Sequence, residues 1–151
     1  MSITNVLVGV DGSENSERAL DFALDFAEKF GASLAILNVA ESVVMGAVPP
    51  ETVTYPTGGS STAVVAKDLM IIQKEMINRY VAHAREVNPR VKVSALTKEG
   101  DAAIEIVDTA KEGFNVIVVG HRGLGRMSER FLGSVSAQVA HSAPCTVIIV
   151  K

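Results

Sequence analysis

Disulfides have no place within this chain: Cys145 is its only cysteine, which makes a reducing compartment, the cytoplasm, the expected one. Tryptophan is absent, and the 48% of hydrophobic residues is mostly aliphatic. That is ample for the core of one compact domain of this size. Basic excess is missing too: the formal charge is −3, with acidic and basic residues interspersed and no charged tail. Nucleic acid and anionic membrane surfaces are therefore not expected partners. No apolar stretch approaches the roughly 18 residues of a membrane span. The opening MSITNVLVGVDGS carries no basic leader, so neither a membrane segment nor a secretory signal is expected. Repeats of about 20–50 residues are absent as well, and residues 1–151 are expected to form a single domain.

What the chain does have is an apolar pattern that alternates between short continuous runs and longer helical stripes. The run Val6 to Val10 leads at once into Asp11-Gly12-Ser13. Ser13 is placed to cap a helix, and Glu14 and Glu17 suit the positive end of its dipole. Ala19, Leu20, Ala23, Phe26, Ala27 and Phe30 then recur at helical spacing until Gly31 closes the element. Leu34 to Val39 predicts a buried strand. Residues 41–63 break the rhythm with Pro49-Pro50, Pro56, Gly58-Gly59 and a Ser-Thr cluster, and are expected to be a long variable loop, either a surface segment or a lid. A stripe of Val65, Leu69, Ile72, Met76, Tyr80, Ala84 and Val87 predicts a helix over about 64–87, with Pro89 beyond its end.

Val91 to Leu96 alternates as a strand does, and Gly100-Asp101 opens a short helix carrying Ile104, Val107 and Ala110. Val116 to Val119 is a buried strand, Ser134 to His141 a helix stopped by Pro144, and Thr146 to Val150 a last strand. Strands alternating with helices imply a parallel sheet covered on both faces, because each crossover must be long and right-handed. The expected fold is α/β, a doubly wound three-layer sandwich of Rossmann-like or flavodoxin-like kind. Ligands of such sheets bind at the carboxyl ends of the strands, which directs attention to the loops after Val10, Val39, Leu96 and Val119.

The loop after Val119 is the most informative: Gly120-His121-Arg122-Gly123-Leu124-Gly125, followed later by Gly133-Ser134-Val135-Ser136. Glycines let backbone N–H groups approach an anion closely, and Gly133-Ser134 opens a helix whose free N–H groups suit phosphate. The same glycines are also compatible with a plain strand-to-helix turn. No Gly-Lys-Ser/Thr follows at the spacing of a P-loop, and no dinucleotide fingerprint stands at the first strand, which runs Gly9-Val10-Asp11-Gly12-Ser13.

The pattern Gly120-x2-Gly123-x9-Gly133-Ser134 resembles the ATP-binding signature of the universal stress protein family. The opening Val-Leu-Val-Gly-Val-Asp-Gly-Ser is similar to that family's first strand and turn, and Ala143 to Val150 to its last strand. The resemblance implies a five-stranded parallel sheet in the order 3-2-1-4-5, of the adenine-nucleotide alpha-hydrolase-like kind. It implies that Asp11 contacts the nucleotide or its metal, and that Val39 meets adenine through its backbone. Val10 and Val119 would wall the base. The backbone around Gly120 and Gly123 would hold ribose and phosphates, and Gly133, Ser134 and Val135 would close on the phosphate chain, with Ser136 following in the same helix turn. The cofactor implied is ATP, or ADP or AMP, with Mg²⁺ shared between Asp11 and the phosphates. Position 121, often Ser in this motif, is His here.

Other roles stay open beside these. Asp11 also suits a helix cap, and Arg122 either grips a phosphate or stands in solvent. His83, His121 and His141 have no spacing that assembles a metal site, and Cys145 beside Pro144 is read as a small filler. No pair of residues presents itself as general base and transition-state stabiliser, so an enzyme beyond slow ATP hydrolysis is not expected. A phospho-receiver would need an Asp at the end of the third strand, where Leu96 leads into Thr97, Lys98 and Glu99. An adenylating enzyme would show Ser-Gly-Gly or His-x-Gly-His near the first strand, and neither is present. The expected function is a nucleotide-dependent sensor or switch in stress response, the alternative a non-nucleotide dimeric scaffold of the same fold. Thr146 to Val150 is strongly aliphatic and would form a sheet edge, which pairing with a second copy would cover. The resemblance implies the same homodimer.

Overall fold

The computed structural model describes residues 2–41, 61–123 and 131–151. Nine elements follow one another: β1 (Asn5–Val10), α1 (Glu14–Phe30), β2 (Ser33–Ala40), α2 (Ser61–Val87), β3 (Val93–Glu99), α3 (Ala102–Ala110), β4 (Val116–Gly120), α4 (Ser134–Ser142) and β5 (Thr146–Val150). The strands form one parallel sheet in the order β3-β2-β1-β4-β5, so the order expected from the resemblance holds. The chain winds outward from β1 through β2 to β3, then returns to lay β4 on the other side of β1. That reversal puts the switch point between β1 and β4.

Period-two alternation along the strands divides the core between the two faces. Val6, Val8, Val10, Leu34, Ile36, Val116 and Val118 face α1 and α2, packing on Leu20, Leu24, Ile77, Tyr80 and Ala84. Leu7, Ala35, Leu37, Ile117 and Val119 face α3 and α4, packing on Ile106, Val107 and Val139. The three-layer sandwich follows from this division. Helix α1 is fixed at both ends by local chemistry. Ser13 Oγ accepts from Ser16 N at 3.2 Å, and Gly31 turns left-handed with φ 64°, its N–H reaching Ala27 O and Glu28 O.

Several boundaries differ from expectation. Helix α2 begins at Ser61, so residues 61–63 of the expected loop are helical, while 42–60, Gly125 and the rest of 124–130 lie outside the described residues. The strand expected over Val91–Leu96 runs from Val93 to Glu99 instead. Thr97, Lys98 and Glu99 pair with Asn38, Val39 and Ala40, because β3 is an edge strand whose exposed side admits polar residues that hide its alternation. Val91 is buried, yet it packs on the core from the turn before the strand. Ile104, assigned to the buried stripe of α3, is half exposed, and Ile106 takes that place. Phe30, Leu69, Ile72 and Val87 are likewise exposed, since both stripes outrun the sheet that covers their helices.

Candidate functional site

A cleft of about 560 Å³ opens where the carboxyl ends of β1, β2 and β4 meet the start of α4. All the positions singled out from the sequence line it: Val10, Asp11, Val39, Val119, Gly120, Arg122, Gly123, Gly133, Ser134, Val135 and Ser136. The switch point explains the convergence, because adjacent strands whose crossovers leave in opposite directions leave a crevice between their exit loops.

The β1–α1 turn presents Asp11 at one side of this cleft. Asp11 Oδ1 accepts from Ser13 N at 2.9 Å, so the carboxylate is held by the turn it follows. Gly12 takes φ +87°, a left-handed conformation that glycine adopts without penalty. Tyr80 of α2 clamps the turn from behind: its hydroxyl accepts from Gly12 N at 3.0 Å and lies 2.9 Å from Ser16 Oγ. Ser16 gives its own hydrogen to Ser13 O at 2.9 Å, so the phenol is the donor between them. Burial is the main cause that raises the Tyr80 pKa above its ordinary value.

Across the cleft, the loop after β4 is stitched down through its backbone. His121 N donates to Val150 O at 2.7 Å, and His121 O accepts from Gly133 N at 2.9 Å. Ser136 Oγ lies 2.9 Å from His121 O and 3.0 Å from Gly133 O, so its hydroxyl braces this turn from within. The three glycines differ in what they permit. A Cβ on Gly120 would come within 2.9 Å of the Asn15 backbone, so this glycine allows β4 to meet α1. At Gly133 it would approach Arg122 Cα and His121 O at 3.2 Å. At Gly123 it would run into the Asp11 carboxylate, which places that loop directly over the β1 turn.

Helix α4 starts differently from α1 and α3. Ser13 and Asp101 cap α1 and α3 with side-chain oxygens, whereas Gly133 caps α4 with no side-chain hydrogen bond. Its first-turn N–H groups and positive dipole end therefore stand at the cleft without a side chain to satisfy them.

Other lining residues went unremarked in the sequence. Asn38, 2% exposed, donates through Nδ2 to Val10 O at 3.0 Å, and a lone amide inside the apolar run Ile36-Leu37-Asn38-Val39 is the signal that could have found it. Gln73 and Met76 reach the cleft from α2, Ala102 and Ile106 from α3. Their membership depends on how each helix is rotated on the sheet, which no local pattern announces. Among the described residues, no three His, Cys, Asp or Glu side chains gather to hold a metal ion. Cys145 packs against the α3–α4 side of the core, and burial raises its thiol pKa. No helix among the described residues is long and apolar enough to cross a membrane.

The family model described as "Universal stress protein family" matches residues 2–151. A Bacillus subtilis protein, "Universal stress protein YxiE", is 32% identical over 149 residues, covering 97% of both chains. Among solved structures, a universal stress protein in complex with cAMP aligns with TM-score 0.68 and 25% identity, over 100% of this chain and 99% of that one. An Archaeoglobus fulgidus universal stress protein in complex with dAMP aligns with TM-score 0.69 and 24% identity over the whole of both chains.

Proposed function

Since the chain belongs to the universal stress protein family, we propose that its cleft binds an adenine nucleotide, ATP or its ADP and AMP counterparts, and that the protein acts as a nucleotide-dependent sensor in stress response. The observation that carries this reading is the meeting of two phosphate-compatible backbones at one place. The uncapped start of α4 and the side-chain-free Gly123, the latter set directly against the Asp11 carboxylate, line the same cleft. A phosphate chain needs donors without a competing side chain, and both features supply that. The residues present thus fit the group. In support, a structural relative 25% identical to this chain was solved in complex with cAMP.

In this reading Val10, Val39 and Val119 border the base. The backbone at Gly120 and Gly123 and the first turn of α4, Gly133 to Ser136, face ribose and phosphates, and Arg122 adds charge at the same edge. Mg²⁺ would be shared between Asp11 and the phosphates, supplying charge neutralisation to the bound triphosphate. We assign no catalytic residue, and the protein's work is to bind, orient and report. A homodimer through the edge strand Thr146–Val150 belongs to the same proposal, since β5 closes the sheet on that side and its residues after Thr146 are only partly buried.

Denaturing freshly purified protein and separating the supernatant by ion-exchange chromatography should release an adenine nucleotide, and calorimetry on the stripped protein should register ATP binding. No released nucleotide and no heat at millimolar ATP would remove the proposal.

A further inference from the structure

Resting on the nucleotide reading above, a second feature of the cleft bears on which nucleotide it takes. The hydrogen bond from Asn38 Nδ2 to Val10 O at 3.0 Å fixes how this amide is turned, with its nitrogen toward β1. Its other atom, Oδ1, is buried and has no hydrogen-bond partner among the described residues. Gln73 Oε1 on α2 is in the same condition, and both residues line the cleft. Buried polar atoms without partners are rare because desolvation is left uncompensated. Two of them lining a single cleft mark a place built for something else to complete. Asn38 Oδ1, whose orientation the bond to Val10 fixes, only accepts, so the group complementary to it is a donor and not an anion; Gln73 stands beside it with Oε1 as the atom it presents.

A nucleotide offers such donors on the base and on the ribose. Asn38 immediately precedes Val39, where the base is expected, and its amide is tied to Val10, another expected wall of the base. The base is therefore the nearer part. We infer that Asn38 Oδ1 and Gln73 Oε1 are specificity-determining acceptors that receive the 6-amino group of adenine. Hypoxanthine and guanine carry a carbonyl at that position, which would set oxygen against oxygen and leave every partner unpaired. Sites that hydrogen-bond a substrate group discriminate strongly against analogues that lack it.

Titration calorimetry of the full chain with ATP, ITP and 2′-deoxyATP tests this in wild type, Asn38→Leu and Gln73→Met. Wild type should bind ATP at least about tenfold more tightly than ITP, and 2′-deoxyATP about as well as ATP, as expected when the base amino group, and not the ribose, bonds the two acceptors. Each variant should bring the ATP-to-ITP ratio toward one, chiefly by weakening ATP. Gln73→Met, a change of similar length at a partly exposed helix position, serves where loss of the Asn38–Val10 tie prevents folding. A ratio that persists in either folded variant overturns the assignment of that residue. Equal binding of ATP and ITP by wild type, or discrimination against 2′-deoxyATP instead, overturns the inference while leaving nucleotide binding intact. Wild type that binds none of the three overturns the cleft reading and this inference together.

Discussion

Replacing Gly123 by Ala separates the demands of the site from those of the fold. Among the described residues the left-handed glycines are Gly12, Gly31, Gly100 and Gly113, so the backbone at position 123 accepts a side chain without strain. Among the described residues, the only atoms within 4 Å of the added Cβ, apart from chain neighbours, belong to the Asp11 carboxyl. That carboxylate is the free end of a short side chain and can swing away, at the cost of its bond to Ser13 N. One hydrogen bond at a partly exposed carboxylate is worth about 1 kcal/mol, which lowers Tm by roughly 2–4 °C for a chain of this size. Nucleotide binding should suffer comparatively more, because Asp11 leaves its place and a methyl group enters the space over the turn. A loss of about tenfold in Kd, or ~1.4 kcal/mol, is the expected scale. Thermal melts and ATP titrations of wild type, Gly123→Ala, Asp11→Ala and the double variant form a cycle that isolates the contact. With the carboxylate gone the clash has no source, so Gly123→Ala should cost nothing in Tm on the Asp11→Ala background. An equal loss of stability on both backgrounds, or unchanged ATP affinity in Gly123→Ala, would show that Gly123 and Asp11 do not act on the nucleotide together.

Gly120→Ala should behave in the opposite way. Its Cβ meets the Asn15 backbone at 2.9 Å, which cannot yield cheaply, so the variant should lose about 1–3 kcal/mol in denaturant unfolding, with or without nucleotide present. Alkaline stability reports on Tyr80. Its pKa is raised in the fold above the ordinary 10.0, so its contribution is fully present below about pH 10 and lost as pH climbs through the raised value. Tyr80→Phe should therefore flatten the alkaline limb of the stability profile, while at neutral pH it costs about 1–3 kcal/mol, chiefly through the Gly12 N–H left unpaired. An alkaline limb unchanged by the substitution would exclude that role. Sedimentation equilibrium at micromolar concentration should give twice the chain mass of 15.9 kDa, and a monomer would exclude pairing through β5.

Where local pattern and tertiary demand coincide, the sequence was easy to interpret. The central strands β1, β2 and β4 are buried on both faces and read as continuous aliphatic runs, and Ser13 and Gly31 bound α1 by chemistry confined to a few residues. β3 was displaced by two to three residues because an edge strand with polar Thr97, Lys98 and Glu99 obeys no clean alternation. The cleft was legible from its glycines and from the positions of strand ends, and every residue so chosen lines it. The individual reasons were less so. Gly120 is required by a helix approaching from elsewhere in the chain, and Ser136 turns its hydroxyl inward to brace the His121 and Gly133 carbonyls. Asn38 and Gln73 were missed because a buried amide becomes conspicuous only when its partners can be counted, and that requires the packed structure.

A crystal structure of the protein grown with excess ATP and Mg²⁺ would show whether the cleft holds a nucleotide. Triphosphate density should lie against the N–H groups of Gly123 and of Ser134 to Ser136, with the base between Val10 and Val39 and its 6-amino group toward Asn38. A cleft filled by water or by the protein's own side chains, with nucleotide bound elsewhere or not at all, would contradict that placement.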